Sequence, residues 1–336
     1  MTKKKWIVVA IAAILLVVSG MSRLGLQDDS ASEGFLDQYN PTHYLFASQD
    51  ASIEVLEPGD SDSGILVLPV HGVIGVDGDG YNHELLLTAI ESAKTDPSVQ
   101  AILLDIDSPG GSVYHTHELY TALMEVKEER DLPVYASMGS VAASGGYYLA
   151  MAADQVFASP ESLTGSIGVI MSQLDLSELM DEFGVKEKVI KSGEMKDIMS
   201  PSREMTQAEE DLLQSYVDES FDAFVAVVDQ GRDNLNEDEI RDLADGRIFS
   251  GRQAQREGLI DELGFFKDAL AQLRQDQGLE EAEVYSFVQD TPLDLFRNFP
   301  FFKNEDLKLL SQLEELDQAQ GLSLDYLWKG GLSNGQ

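Results

Sequence analysis

Ser144 stands in a run of small residues, Gly139-Ser140-Val141-Ala142-Ala143-Ser144-Gly145-Gly146-Tyr147-Tyr148, just past an apolar stretch that reads as a strand. With Ser144 at the start of a helix, its hydroxyl can face a substrate while the Gly145 N–H favours negative charge beside it. Ala142 stands two positions before it, so the run is not the G-x-S-x-G elbow of the α/β-hydrolases. A second stretch, Asp107-Ser108-Pro109-Gly110-Gly111-Ser112, also follows an apolar strand and has the composition of a sharp turn. Without side chains, Gly110 and Gly111 let the backbone approach a ligand closely and aim N–H groups at a developing oxyanion.

A serine nucleophile needs a base. The five histidines, His43, His71, His83, His115 and His117, all precede Ser144, which excludes every triad order that places histidine after serine and leaves the chymotrypsin-like order open. His43 falls in a polar segment, and His115 and His117 begin a helix, so His71 is the rival base. Lysine is the other candidate. The stretch Val189-Ile190-Lys191-Ser192-Gly193-Glu194-Met195-Lys196-Asp197-Ile198-Met199 carries Lys191 and Lys196. Burial among Met195, Ile198 and Met199 would penalise an ammonium and favour the neutral amine a base requires. Spacing alone does not choose between the two lysines.

These residues need a scaffold, and the chain has one of the α/β class. Short apolar runs at Ile65–Val70, Ala101–Ile106, Pro133–Ser137 and Gln155–Ala158 alternate with helical stretches, the pattern of buried parallel strands joined by right-handed crossovers. A long helix is predicted to begin at Thr206, which forms a capping box with Glu209. Leu213, Tyr216, Val217, Phe221, Phe224 and Val228 then recur at helical spacing as core or subunit interface.

Composition narrows the function. The 336 residues carry a net charge of −37, which argues against any grip on nucleic-acid phosphates and fits a solvated acidic surface. There is no cysteine, so disulfides, thiolate metal sites and cysteine nucleophiles are excluded, and no metal or cofactor is called for. At the N-terminus Lys3, Lys4 and Lys5 precede the uncharged run Trp6–Met21. As a helix that run rises about 24 Å, and flanking leucines with snorkelling lysines extend it. The expected organisation is a cytoplasmic stub at 1–5, an uncleaved membrane anchor at 6–26, a polar tether at 27–63, a catalytic domain at 64–270 outside the membrane, and an acidic tail at 271–336.

Taken together, Ser-Pro-Gly-Gly at 108–111, Ala-Ala-Ser-Gly-Gly-Tyr-Tyr at 142–148, Thr-Gly-Ser-Ile-Gly at 164–168 and Ser-Gly-Glu-Met-Lys-Asp at 192–197 resemble the bacterial signal peptide peptidase SppA family. Asp-Gly-Arg-Ile-Phe-Ser-Gly-Arg-Gln-Ala at 245–254 and Gly-Leu-Ile-Asp at 258–261 fit it as well. The resemblance spans roughly residues 64 to 270 and matches the short, single-copy form of that family. It implies a ClpP/crotonase-like fold, a Ser144 nucleophile, Lys196 rather than Lys191 as general base, and Ser166 as the hydroxyl that orients the lysine. It also implies an oxyanion hole from Gly110 or Gly111 with Gly145, peptide substrates such as cleaved signal peptides, and a homo-oligomer. The competing expectation is a catalytically silent, membrane-bound peptide-binding scaffold.

Overall fold

The computed structural model describes residues 51–78, 80–289 and a short strand at 325–327. The strands are β1 (Ala51–Glu57), β2 (Asp60–His71), β3 (Val99–Ser108), β4 (Gly110–Ser112), β5 (Val134–Ala143), β6 (Gln155–Ala158), β7 (Leu163–Gly165), β8 (Ile248–Ser250), β9 (Glu262–Leu263), β10 (Ala282–Gln289) and β11 (Asp325–Leu327). The helices are α1 (His83–Thr95), α2 (Val113–Arg130), α3 (Gly145–Ala150), α4 (Ser177–Glu182), α5 (Gln207–Gly231), α6 (Glu237–Leu243), α7 (Gly251–Arg256) and α8 (Phe266–Gln277).

The main sheet runs in the order β1-β10-β2-β3-β5-β6-β9, with β7 against β5 and β8 against β7. Its centre is parallel, while β1 on β10 and β8 on β7 are antiparallel. Parallel strands covered on both faces read as unbroken apolar runs, and β2, β3 and β5 do so because alternate residues enter opposite cores. Leu66, Leu68, Ile102, Leu104, Val134 and Ala136 face the larger core, which α1, α2, α3 and the second half of α5 cover. Ile65, Val67, Ala101, Leu103 and Tyr135 face a smaller one closed by Ala269, Leu270 and Leu273 of α8. Each buried leucine here contributes about 2 kcal/mol.

Local signals set where the helices begin and end. Asn82 caps α1 by accepting the Leu85 N–H at 3.0 Å. α2 stops at Asp131 in the left-handed region. There Arg130 clamps α2 to the end of α1, donating to the carbonyls of Ala93, Asp96 and Val99. The Thr206–Glu209 capping box is present, and α5 follows it. Its apolar stripe divides. Phe224 and Val228 enter the core, whereas Tyr216 is exposed.

The folded unit is wider than the sequence suggests. β1 lies within the expected tether, and α8 and β10 within the expected tail. β10 fills the position between β1 and β2, and Val284 is fully buried there. Among the described residues the sheet therefore extends from 51 to 289, beyond the expected boundaries at 63 and 270, because β10 covers the edge of β2. The expected anchor at 6–26 and the rest of the tether and tail lie outside the described residues. Among the described residues no helix is long and apolar enough to cross a membrane.

Candidate active site

Ser144 is the single residue between β5 and α3, and it is held at φ 56°, ψ −117°. A residue with a Cβ avoids that conformation, so the neighbours must impose it. The Ser144 N–H donates to Gly165 O at 2.8 Å and its carbonyl accepts Tyr148 N–H at 2.9 Å, fixing the turn from both sides. Ser144 is 2% exposed, and its hydroxyl makes no hydrogen bond among the described residues.

The first expected loop arrives beside it. β3 ends at Ser108, the chain reverses through Gly110 at φ 97°, and β4 leads into α2. A side chain at Gly145 would lie 3.3 Å from both Gly110 Cα and Gly111 N, so the three glycines meet at one point and only hydrogen fits there. The two turns differ in what their amides can do. Gly110 N–H already donates to Ser108 Oγ at 3.1 Å. Gly110 O accepts Ile74 N–H at 3.0 Å and Ser112 N–H donates to Ile74 O at 2.8 Å. Backbone groups alternate along a strand, so the Gly111 N–H and C=O turn the other way, to the edge where β11 pairs antiparallel with β4, Tyr326 opposite Gly111. Gly145 opens α3, and its N–H has no intrahelical partner. The carbonyls of Gly110 and Ser144 each accept a bond, which polarises the following peptide and makes Gly111 and Gly145 N–H stronger donors.

Ser166 arrives from the other flank. β5 and β7 run parallel with Ala143 opposite Gly165, so Ser144 and Ser166 leave their strands abreast. Ser166 is buried at φ 50°, its N–H held by Arg247 O at 2.8 Å. Asp107 ties β3 to β5 by accepting Ser140 Oγ at 2.7 Å and Val141 N–H at 3.0 Å.

The described histidines are committed elsewhere. His71 Nε2 donates to Asp105 Oδ2 at 3.1 Å, and that bond raises its pKa above the usual value against the opposing effect of burial. His83 is bound by Tyr81 and Glu118, His115 by Ser112 and His117 by Tyr148. His43 lies outside the described residues. Among the described residues no group of three His, Cys, Asp or Glu could hold a metal ion.

The lysines separate clearly. Lys191 Nζ donates to Glu194 O and Asp197 Oδ1, both at 2.6 Å, and the second bond is an ion pair that engages the amine. Lys196 sits on a 3-10 turn, Glu194–Asp197, where its N–H donates to Gly193 O at 3.2 Å, and its exposed amine has no hydrogen bond or ion pair among the described residues. The burial expected from Met195, Ile198 and Met199 is not supplied within one chain, since Met195 is itself exposed and the other two are half-buried. No hydrogen bond joins Lys196 to Ser144 or Ser166. The turn belongs to an arm whose helix α4 buries nothing and which exposes Leu174, Phe183 and Ile190, the last at 91%. Its root is firm. Arg203 bridges Asp197 and Glu209, holding the Asp197 carboxyl far below its usual range and that of Glu209 down to about 2.

Ile74, Ser108 and Thr116 complete the cradle and were not marked in the sequence. Ser108 stood inside the Ser-Pro-Gly-Gly signal as a turn residue, while Ile74 and Thr116 carry no local pattern.

Comparison with known proteins adds an independent line. The profile of Peptidase family S49 matches residues 127–280. A protein of Enterococcus faecium provisionally named signal peptide peptidase SppA is 38% identical over 300 residues, covering 87% of this chain and 86% of its own length. Protease 4 of Salmonella typhi is 30% identical over 239 residues, 70% of this chain and 38% of that one. The chloroplastic serine protease SPPA of Arabidopsis thaliana is 31% identical over 221 residues, 66% of this chain and 32% of that one.

Proposed function

The chain belongs to peptidase family S49 and is a serine peptidase of the signal peptide peptidase type, and from that premise we propose an endopeptidase that cuts extended peptides with Ser144 as nucleophile and Lys196 as base. The observation that carries the reading is Ser144 itself, a buried serine at positive φ on a strand–helix junction, next in sequence to the point where Gly110, Gly111 and Gly145 meet. The scaffold is of the ClpP/crotonase-like kind. Neutral Lys196 takes the Ser144 Oγ proton as Oγ bonds the carbonyl carbon, and the oxyanion is met by the two glycine N–H groups. Lys196 then gives that proton to the departing amine as the C–N bond breaks. A water, deprotonated by Lys196, opens the ester, and the proton returns to Ser144 Oγ. Ser166 orients the amine.

The β11–β4 pairing supports the mode of binding, because it lays an extended backbone across Gly110–Ser112 in the way a substrate would add to the strand edge. The exposed lysine supports assembly. A lysine base needs surroundings that disfavour the ammonium, so a base at this exposed position needs a second copy of the chain to cover the arm and exclude solvent. The dyad is accordingly completed between copies of a homo-oligomer. Membrane anchoring through residues 6–26, with the peptidase outside the cytoplasm, rests on Lys3–Lys5 and the apolar run after them. Peptides released into that membrane, cleaved signal peptides among them, are the substrate class.

Cleavage of a fluorogenic apolar peptide by the full chain tests the reading. Ser144→Ala and Lys196→Ala should each lower kcat by about 10³-fold or more, with Lys191→Ala retaining most activity. Full activity in Lys196→Ala would overturn the assignment of the base, and undiminished activity in both dyad variants would leave the silent scaffold or another site to explain the fold.

A further inference from the structure

α2 passes directly behind the point where Gly110, Gly111 and Gly145 meet, and it presents Thr116 there. A side chain at Gly145 would lie 2.8 Å from Thr116 Oγ1, nearer than to either of the other glycines. Thr116 is 0% exposed, and its hydroxyl has no hydrogen-bond partner among the described residues. A helical threonine ordinarily turns its hydroxyl to the carbonyl one turn back. This one does not, and a buried hydroxyl without a partner is a standing cost to stability.

One turn further along the same face, Tyr120 supplies a comparison. It is 6% exposed, its hydroxyl likewise has no partner, and its ring packs edge-on against Tyr148 of α3 at 5.2 Å between centroids. Tyr120 thus shares the burial and the orphaned oxygen, but nothing places its hydroxyl against the glycine junction.

Building on Ser144 as nucleophile, we propose that Thr116 is a positioning residue for the oxyanion hole, its free hydroxyl turning its proton toward the charge that develops at the Gly111 and Gly145 amides. A hydroxyl with no fixed partner can rotate at negligible cost. In the resting enzyme it is unsatisfied. When the oxyanion forms, its dipole aligns behind the two N–H donors in a buried cradle, where such alignment counts most in the transition state and little in substrate binding. The lost stability of the resting fold is then the counterpart of a gain in turnover, the trade expected of a functional site that breaks a packing rule.

The test compares Thr116→Val, Thr116→Ser, Thr116→Ala, Tyr120→Phe and Ser144→Ala in the full chain, reading kcat, KM and melting temperature together. Thr116→Val keeps the shape and removes the hydroxyl. It should lower kcat about tenfold with KM unchanged, while melting at or about 2 °C above the wild type. Thr116→Ser should restore kcat to within about twofold, and Tyr120→Phe should melt no lower with kcat unaltered. Thr116→Ala loses the same hydroxyl and reports the same kcat effect should valine pack poorly. Wild-type kcat in both the valine and alanine variants, with Ser144→Ala inactive, would overturn the role of Thr116 alone. Equal loss of kcat in the serine and valine variants with lowered melting would overturn it in favour of packing. Activity surviving in Ser144→Ala would instead remove the nucleophile on which the role rests.

Discussion

The cradle around Ser144 and the arm that carries Lys196 are built on opposite principles. In the cradle Ile74, Ser108, Gly110, Gly111, Thr116 and Gly145 are buried, each turn is fixed by hydrogen bonds to adjacent strands, and the serine is driven into the left-handed region. The arm is anchored only at its root, buries nothing along α4 and presents its apolar side chains outward. A nucleophile can be strained into place by one chain because strands and glycines supply the constraint locally. A neutral lysine cannot be made by geometry alone, since it requires water to be removed from around a charge. The difference teaches that the two halves of the proposed chemistry have different structural costs, and that the costlier half is the one for which the proposal calls on assembly.

That contrast can be broken most severely inside the cradle. In Gly145→Ala the new methyl would press on Thr116 Oγ1 at 2.8 Å and on the Gly110–Gly111 backbone at 3.3 Å. The glycine amides must then move, which costs about 1–3 kcal/mol of stability and should lower kcat by at least about tenfold, read as kcat/KM beside the melting temperature. A wild-type kcat in this variant would mean the three glycines do not form the oxyanion site.

The arm is expected to respond differently, through its root. The Arg203 hydrogen bond holds Glu209 down to about 2, so its contribution is fully present above the unfolded carboxyl value of about 4.3 and is lost as pH falls toward 2. Arg203→Ala should speed hydrogen exchange across residues 194–209 at neutral pH, and the variant and wild type should converge in acid. Exchange at the Ser144 turn should not change. If it did, arm and cradle would be one cooperative unit and the contrast would fail.

The smallest effect lies at His71. Its pKa is raised chiefly by the Asp105 hydrogen bond, so its stabilisation is complete below the unfolded value of about 6.5 and disappears as pH rises through the folded value. The pair is partly exposed, and screening keeps the effect below about 1 kcal/mol. The melting difference between wild type and His71→Asn should therefore shrink between about pH 5.5 and about pH 9, which lie on either side of the unfolded value of about 6.5, with activity unaffected. Abolished activity would return His71 to contention as the base.

Much of this was legible in the chain. The apolar runs at 65–70, 101–106 and 155–158 are strands, and Thr206 with Glu209 is a capping box. Ser144 stands out in the chain because alanines and glycines crowd it on both sides just past a strand. β1 and β10 do not, since both mix polar and apolar residues within acidic surroundings and are strands through their pairing with each other and with β2. The same holds for Ile74 and Thr116. Their importance comes from which backbone they meet, and a distance across the fold leaves no mark on local composition. Lys191 and Lys196 were inseparable by spacing, yet an aspartate six residues beyond Lys191 closes an ion pair on it and leaves the other free.

Mixing purified Ser144→Ala and Lys196→Ala chains, after dissociation and reassembly, addresses the meeting of arm and cradle most directly. Each variant alone should be inactive, and activity should return in the mixture, because an intact lysine of one copy would then face an intact serine of another. Mixed oligomers that form normally and remain as inactive as either parent would show that the lysine does not serve a neighbour's serine.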